Sequence, residues 1–235
     1  GDIVIGRDEE TGVLARYTDV STAKLESQRG FVETSGDHLR TERVSVKAAQ
    51  WLLDPSDITI SSAADSNVSG TSPADITPTG GDGSTSVVSV STIQSAINAG
   101  TSVTIKTTNA SNTTGAGNIT IANALAFNNQ GGTDATLSLV ADNGITQNAG
   151  ASITTHAASA KRVNVSMTAL GNYQGVATES ANSKGVELNS AINTNGTVEI
   201  SGTNKNTGTG SGVKFSGGAG ITTTGSAITV NGTGT

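Results

Sequence analysis

Short apolar pairs spaced by one residue recur along the chain: Val103/Ile105, Ile119/Ile121, Leu137/Leu139, Val163/Val165, Val186/Leu188, Val198/Ile200, Val213/Phe215 and Ile228/Val230. Single isoleucines at Ile145, Ile153 and Ile221 fall between them, with Gly, Asn and Ser in the gaps. An apolar–polar–apolar triplet bounded by such residues reads as a short strand and a turn. The same pattern marks the first part of the chain at Ile3-Val4-Ile5, Val13-Leu14-Ala15, Phe31-Val32, Val44-Ser45-Val46 and Ile58-Thr59-Ile60. No helices alternate with these strands, which excludes a sheet built from strand–helix–strand units.

Two stretches depart from the rhythm. Residues 91–100, S-T-I-Q-S-A-I-N-A-G, predict a helix. Ser91 caps it with Gln94 three residues on, Ile93, Ala96 and Ile97 form one apolar face, and Gly100 suits the position after the last turn. So short a helix is marginal alone and must dock against a sheet. Residues 61–90 contain two of the three prolines and almost no bulky side chain, and read as a long loop excursion. Within it, Gly80-Gly81-Asp82-Gly83 resembles one unit of a calcium-binding nonapeptide repeat. Such sites need stacked copies, so a single unit reads as a turn. The chain thus divides into strands 1–60 ending in W-L-L-D-P-S-D-I-T-I, the excursion 61–90, and a repetitive part 91–235.

Composition chooses between architectures. Aromatic residues make up 3% of the 235 and charged residues 14%, too few bulky side chains for a broad core. Net charge is only −6 and Pro only 3, while Val, Ile and Thr alternate, so the chain is not of the disordered class. A thin repeated core of small and β-branched residues remains. An antiparallel sandwich would bring hairpin dipeptides and aromatic-rich strands. A parallel β-helix needs only short strands, small turn residues and a narrow interior. Asn and Thr at its turns would stack on their equivalents in neighbouring coils. Coils of about 20 residues, some 4.8 Å apart, would give about ten coils.

Charge and cysteine content narrow the function. Residues 1–60 carry 18 of the 32 charged side chains, of both signs at 7–10 and 37–47 as on a solvated surface. The mild acidity argues against nucleic acid. With no Cys, disulfides and thiolate metal sites are excluded. No apolar run has the length of a membrane span and no signal peptide opens the chain. The start at G-D-I-V-I and the end at N-G-T-G-T read as cuts inside a longer repetitive polypeptide.

Three segments in order carry a resemblance: G-F-V-E-T-S-G at 30–36, W-L-L-D-P-S-D-I-T-I at 51–60, and S-T-I-Q-S-A-I-N-A-G-T-S-V-T-I at 91–105. Together they resemble the filamentous haemagglutinin-like adhesins, passenger proteins of two-partner secretion in Gram-negative bacteria. The signature positions are Gly30, Phe31, Glu33, Gly36, Trp51, Leu52, Asp54 and Pro55, with Arg29 in place of the family's first glycine. The motif-bearing part spans about residues 30–105, and the rest matches in repetitive style only. The resemblance implies a right-handed parallel β-helix, exported to the cell surface through an outer-membrane β-barrel partner that recognises an amino-terminal domain not visible here. It implies adhesion to a host-cell or bacterial receptor or glycan, or, in some members, a stalk for contact-dependent toxin delivery. Some adhesins of this kind are glycosylated on Asn-X-Ser/Thr, and Asn67, Asn109, Asn112, Asn118, Asn164, Asn195 and Asn231 begin such triplets.

Chemistry has few candidates. Asp54 and Asp57 would suit acid–base cleavage of a polysaccharide, yet Asp54-Pro55-Ser56-Asp57 reads more simply as a turn. His38 and His156 are far apart in sequence, which gives a metal site or a Ser-His-Asp triad no support. Lys161-Arg162 reads as a solvated pair. Trp51, Tyr17, Tyr173 and three phenylalanines are a poor supply of sugar platforms. The expectation is a non-enzymatic structural and adhesive protein without a cofactor, whose exposed coil ends invite end-to-end association. The stalk and a carbohydrate-active β-helix enzyme are the alternatives.

Overall fold

The computed structural model describes residues 1–27, 30–36, 38–41, 43–54, 57–63, 68–69, 77–78, 86–107, 117–172, 183–206 and 210–234, with backbone alone at 54, 68–69 and 77–78. Its strands are short. The first part holds β1 (Ile3–Ile5), β2 (Tyr17–Asp19), β3 (Lys24–Glu26), β4 (Phe31–Ser35), β5 (His38–Arg40), β6 (Ser45–Lys47), β7 (Gln50–Asp54) and β8 (Ile58–Ser61). Next come β9 (Val68–Ser69), β10 (Thr77–Pro78), β11 (Ser86–Ser89) and the helix α1 (Val90–Asn98). The remainder holds β12 (Ser102–Lys106), β13 (Ile119–Ile121), β14 (Leu125–Phe127), β15 (Ala135–Ala141), β16 (Ile145–Gln147), β17 (Ile153–Thr155) and β18 (Val163–Ala169). It closes with β19 (Val186–Leu188), β20 (Ile192–Thr194), β21 (Val198–Thr203), β22 (Val213–Phe215), β23 (Ile221–Thr223) and β24 (Ile228–Thr233).

The fold is all-β with parallel sheets. The largest runs β1-β4-β7-β12-β15-β18-β21-β24, the second β11-β8-β13-β16-β19-β22, and the third β14-β17-β20-β23. Among the described strands only β9 and β10 pair antiparallel as a ladder. From β12 onward the chain visits the three large sheets in fixed rotation, four times over, before ending on β24 of the first. The amino-terminal part follows the same order, with β2–β5 and β3–β6 as separate two-stranded pairs.

Parallel register aligns equivalent residues into columns. On the first sheet Val32, Trp51, Val103 and Leu137 stand in register and are fully buried, as are Ile105 and Leu139 beside them. Ile58, Ile119 and Ile145 form the column of the second sheet, and Leu125, Ile153 and Ile192 that of the third. All are under 2% exposed. Each such side chain removed from water contributes about 1.5–3 kcal/mol. Polar columns close the turns. Asn143 Nδ2 donates to Asn118 Oδ1 at 3.1 Å, and its own Oδ1 accepts from the Lys184 N–H at 3.0 Å.

Several expectations are corrected here. The step from β4 to β7 spans 19 positions, Val32 to Trp51, but from β12 onward one visit to the first sheet is separated from the next by more than 20 residues. Thr136 and Ser102 bond across 34 positions, Arg162 and Asp134 across 28, and Val163 and Asn195 across 32. Among the described residues the largest sheet has eight strands rather than the ten layers that the shorter period implies. Each round from β12 onward carries a third strand, such as β14 or β20, which lengthens it. Val13-Leu14-Ala15 is no strand: Leu14 makes one isolated bridge to Arg7, and Val13 is 64% exposed.

The helix starts at Val90, and Ser89, not Ser91, is its cap, accepting from the Ser91 N–H at 3.2 Å. Gln94 instead donates to Ala126 O at 2.9 Å, so no capping box forms. The excursion is also shorter than residues 61–90, because β11 at its end pairs in parallel with β8. As expected, Ile93, Ala96 and Ile97 are the buried face, and Gly100 follows the helix at φ +83. Helix α1 contacts β6 on one side and β14 on the other, filling the place between the β3–β6 pair and the third sheet. Gly80-Gly81-Asp82-Gly83 lies outside the described residues.

Candidate functional site

The signature residues gather around β4 and β7, which pair with Val32 opposite Trp51 and Glu33 opposite Leu52. Alternation then decides what each side chain does. Trp51 and Leu53 are wholly buried in the core, while Leu52 points the other way and is half-exposed. The Trp51 indole N–H, which must find an acceptor when buried, donates to Thr34 Oγ1 at 3.0 Å. Phe31 is half-buried, and its backbone N–H donates to Asp2 Oδ1 at 2.8 Å.

Glu33 is the buried acid of this region, 1% exposed. Arg7 reaches it from the segment after β1, with Nε to Oε1 at 2.5 Å and Nη2 to Oε2 at 2.7 Å. Ser35 Oγ adds a third bond to Oε1 at 2.7 Å. A buried carboxylate needs such a fork, since an unpaired charge there is costly. Gly6 makes the approach feasible: a Cβ at that position, φ +82, would collide with Ser35 O and Thr18 Oγ1. Gly30 is pinched likewise by Ser27 Oγ, Gly1 O and Asp2 Oδ1, and Gly36 by Thr18 Oγ1. All of this is scaffold chemistry.

Of the acid pair, the structure describes only the Asp57 side chain. Asp54 ends β7, its side chain lies outside the described residues, and so does Pro55. Asp57 Oδ1 accepts from the Asn118 N–H at 2.6 Å, tying β8 to the neighbouring β13. His38 stacks on Tyr17 with ring centroids 4.9 Å apart, and Arg16 lies 5.4 Å from the Tyr17 centroid. His156 follows β17 on the third sheet, and its Nδ1 accepts from the Ala158 N–H at 3.1 Å. The two histidines therefore share no site. Among the described residues no group of three or more His, Asp or Glu could hold a metal ion. Tyr173 lies outside the described residues.

Of the glycosylation triplets, Asn67, Asn109 and Asn112 lie outside the described residues. Asn195 uses both ends of its amide, accepting from the Val163 N–H at 2.9 Å and donating to Lys161 O at 3.1 Å. Asn164 accepts from the Thr197 N–H at 2.9 Å, and Asn118 accepts from Asn143. Asn231, on the exposed strand β24, is not engaged in this way.

Shallow grooves remain. One, about 480 Å³, lies between β6 and α1, with Glu26, Arg43 and Lys47 on its rim and Ala96 and Ala99 among its lining. Arg43 has φ +56, a left-handed conformation costly for a residue with a Cβ. A second groove of about 280 Å³ on the third sheet is lined by His156, Asn193, Thr222 and Thr224. Two acids have lowered pKa values. Hydrogen bonds from Thr11 hold the Asp8 carboxyl below the ordinary aspartate range, and the Lys24 ammonium does the same for Glu26. Sequence reasoning missed Arg7 and Thr34. Their partners lie 26 and 17 positions away, and no local spacing signals such a pairing.

Comparison with protein families, curated proteins and solved structures finds no match to this chain.

Proposed function

We propose that this chain is a structural and adhesive segment of a large secreted bacterial surface protein, wound as a right-handed parallel β-helix. The supporting observation is the rotation of β12 to β24 through three parallel sheets in fixed order. A chain that returns to the same sheet each round, one strand further along, gives a stiff repeated scaffold in which each round templates the next. The likeness of residues 30–36, 51–60 and 91–105 to filamentous haemagglutinin-like adhesins supports the same reading. Export then runs through an outer-membrane β-barrel partner of a Gram-negative cell. Attachment to a host or bacterial surface arises from weak contacts multiplied along the array. The commitment of Asp57 and Glu33 to structural bonds favours a non-enzymatic role.

Attachment is the test. Beads coated with the chain are expected to bind host or bacterial cells above beads coated with an unrelated acidic protein. Equal binding, together with turnover on a polysaccharide panel that Asp57→Asn abolishes, would replace this reading with the carbohydrate-active alternative. The toxin-delivery stalk shares the scaffold, and the sequence of the complete gene beyond Thr235 distinguishes it.

A further inference from the structure

Three residues of complementary chemistry occupy the same corner on three successive rounds. Asp142 follows β15, Asn172 follows β18 and Lys205 follows β21. The Asn172 backbone N–H donates to Asp142 O at 2.8 Å, and its side-chain Nδ2 donates to Asp142 Oδ1 at 3.0 Å. On the other side Lys205 Nζ donates to Asn172 Oδ1. Lys205 is itself held in place, its backbone N–H donating to Ser183 Oγ at 2.7 Å, while Ser183 Oγ donates to Gly171 O at 2.9 Å. The Asn172 amide is thus clamped between an amine at its oxygen and a carboxylate at its nitrogen.

We propose that Lys205 and Asn172 form an intramolecular isopeptide bond, with Asp142 as the proton relay. An amine fixed against a carbonyl reacts at an effective concentration far above that of a free reactant. The free amine of Lys205 adds to Asn172 Cγ, and the carbonyl π pair moves onto Oδ1. Asp142 takes a proton from the adduct nitrogen and passes it to Nδ2, the atom it already contacts. The Cγ–Nδ2 bond then breaks and ammonia leaves. One amine and one primary amide become one secondary amide plus ammonia, with no change of oxidation state. Lys205 is exposed while Asn172 and Asp142 are half-buried, so ammonia has an open exit. The product would staple β18 to β21 covalently across the stack. This inference rests on the three side chains and not on the adhesive reading.

The whole chain, purified and held in mildly alkaline buffer, is examined by intact mass and peptide mapping. The expected result is the loss of one ammonia and a branched peptide joining Lys205 to Asn172, forming faster as pH rises. Lys205→Arg keeps the cation and abolishes the branched peptide, and Asp142→Asn slows its formation by about a hundredfold. Circular dichroism is expected to show both variants folded. Loss of ammonia alone does not decide the matter, because Asn143-Gly144 can cyclise with the same mass change. An unchanged mass, or ammonia lost without the Lys205–Asn172 peptide, overturns the proposal.

Discussion

The indole N–H of Trp51 donates to the hydroxyl of Thr34 at 3.0 Å, a diagonal contact between neighbouring strands with both side chains fully buried. It is a polar bond inside a core built mainly of aliphatic side chains. Trp51→Phe keeps an aromatic ring but leaves the Thr34 hydroxyl without its donor, and is expected to cost about 1–3 kcal/mol. Thr34→Val strands the indole N–H and should cost a similar amount. Combined, the two substitutions should cost less than the sum of their separate effects, because each removes the other's unpaired group. Urea denaturation of the four proteins measures the coupling.

The ion pair of Arg7 and Glu33 makes a larger demand. Arg7→Ala leaves a carboxylate that is 1% exposed with only the Ser35 hydroxyl of its described side-chain partners. Breaking a buried pair from one side costs about 3–5 kcal/mol. Glu33→Gln is expected to be milder, since a neutral amide can keep part of the network. Thermal unfolding of both variants orders them.

Sequence legibility followed side-chain alternation. Val103/Ile105 and Leu137/Leu139 reveal their strands because each presents two apolar residues to the core. Tyr17-Thr18-Asp19, Lys24-Leu25-Glu26 and His38-Leu39-Arg40 do not, because a single inward residue stands between neighbours that are polar, charged or aromatic. The helix cap moved for a related reason: β11 runs directly into α1, so Ser89 serves both elements. Gly30, Gly36 and Trp51 were legible as structural positions. Their partners were not, since register across layers brings together residues no local pattern connects.

The asparagines separate by their bonds. Asn195→Ala would orphan the Val163 N–H and the Lys161 carbonyl and should destabilise by about 1–3 kcal/mol. Asn231→Ala, on exposed β24, should change stability by less than about 0.5 kcal/mol. For the same reason, glycosylation of the folded protein at the described triplets is expected at Asn231 and not at Asn195. Peptide-level mass spectrometry of protein from a glycosylating host checks the site.

Asp8 gives a local pH signal. Its Oδ1 accepts from the Thr11 hydroxyl and backbone N–H, both at 2.7 Å, and these bonds lower its pKa. The folded value lies below the unfolded one. The turn's stabilisation is therefore complete above the ordinary aspartate range and fades as pH falls through the lower, folded value. Carbon NMR titration should show the Asp8 midpoint moving upward in Thr11→Val.

Removal of one whole round tests the central claim of a repeated parallel stack most directly. Val165 and Val198 are register partners, so deleting residues 165–197 brings Val198 to the place of Val165 beside Leu137. The account predicts a folded protein with an unchanged β-type circular dichroism spectrum. Small-angle scattering should show its long dimension reduced by one strand spacing, about 4.8 Å. Global unfolding on deletion, or a folded product of undiminished length, would contradict it.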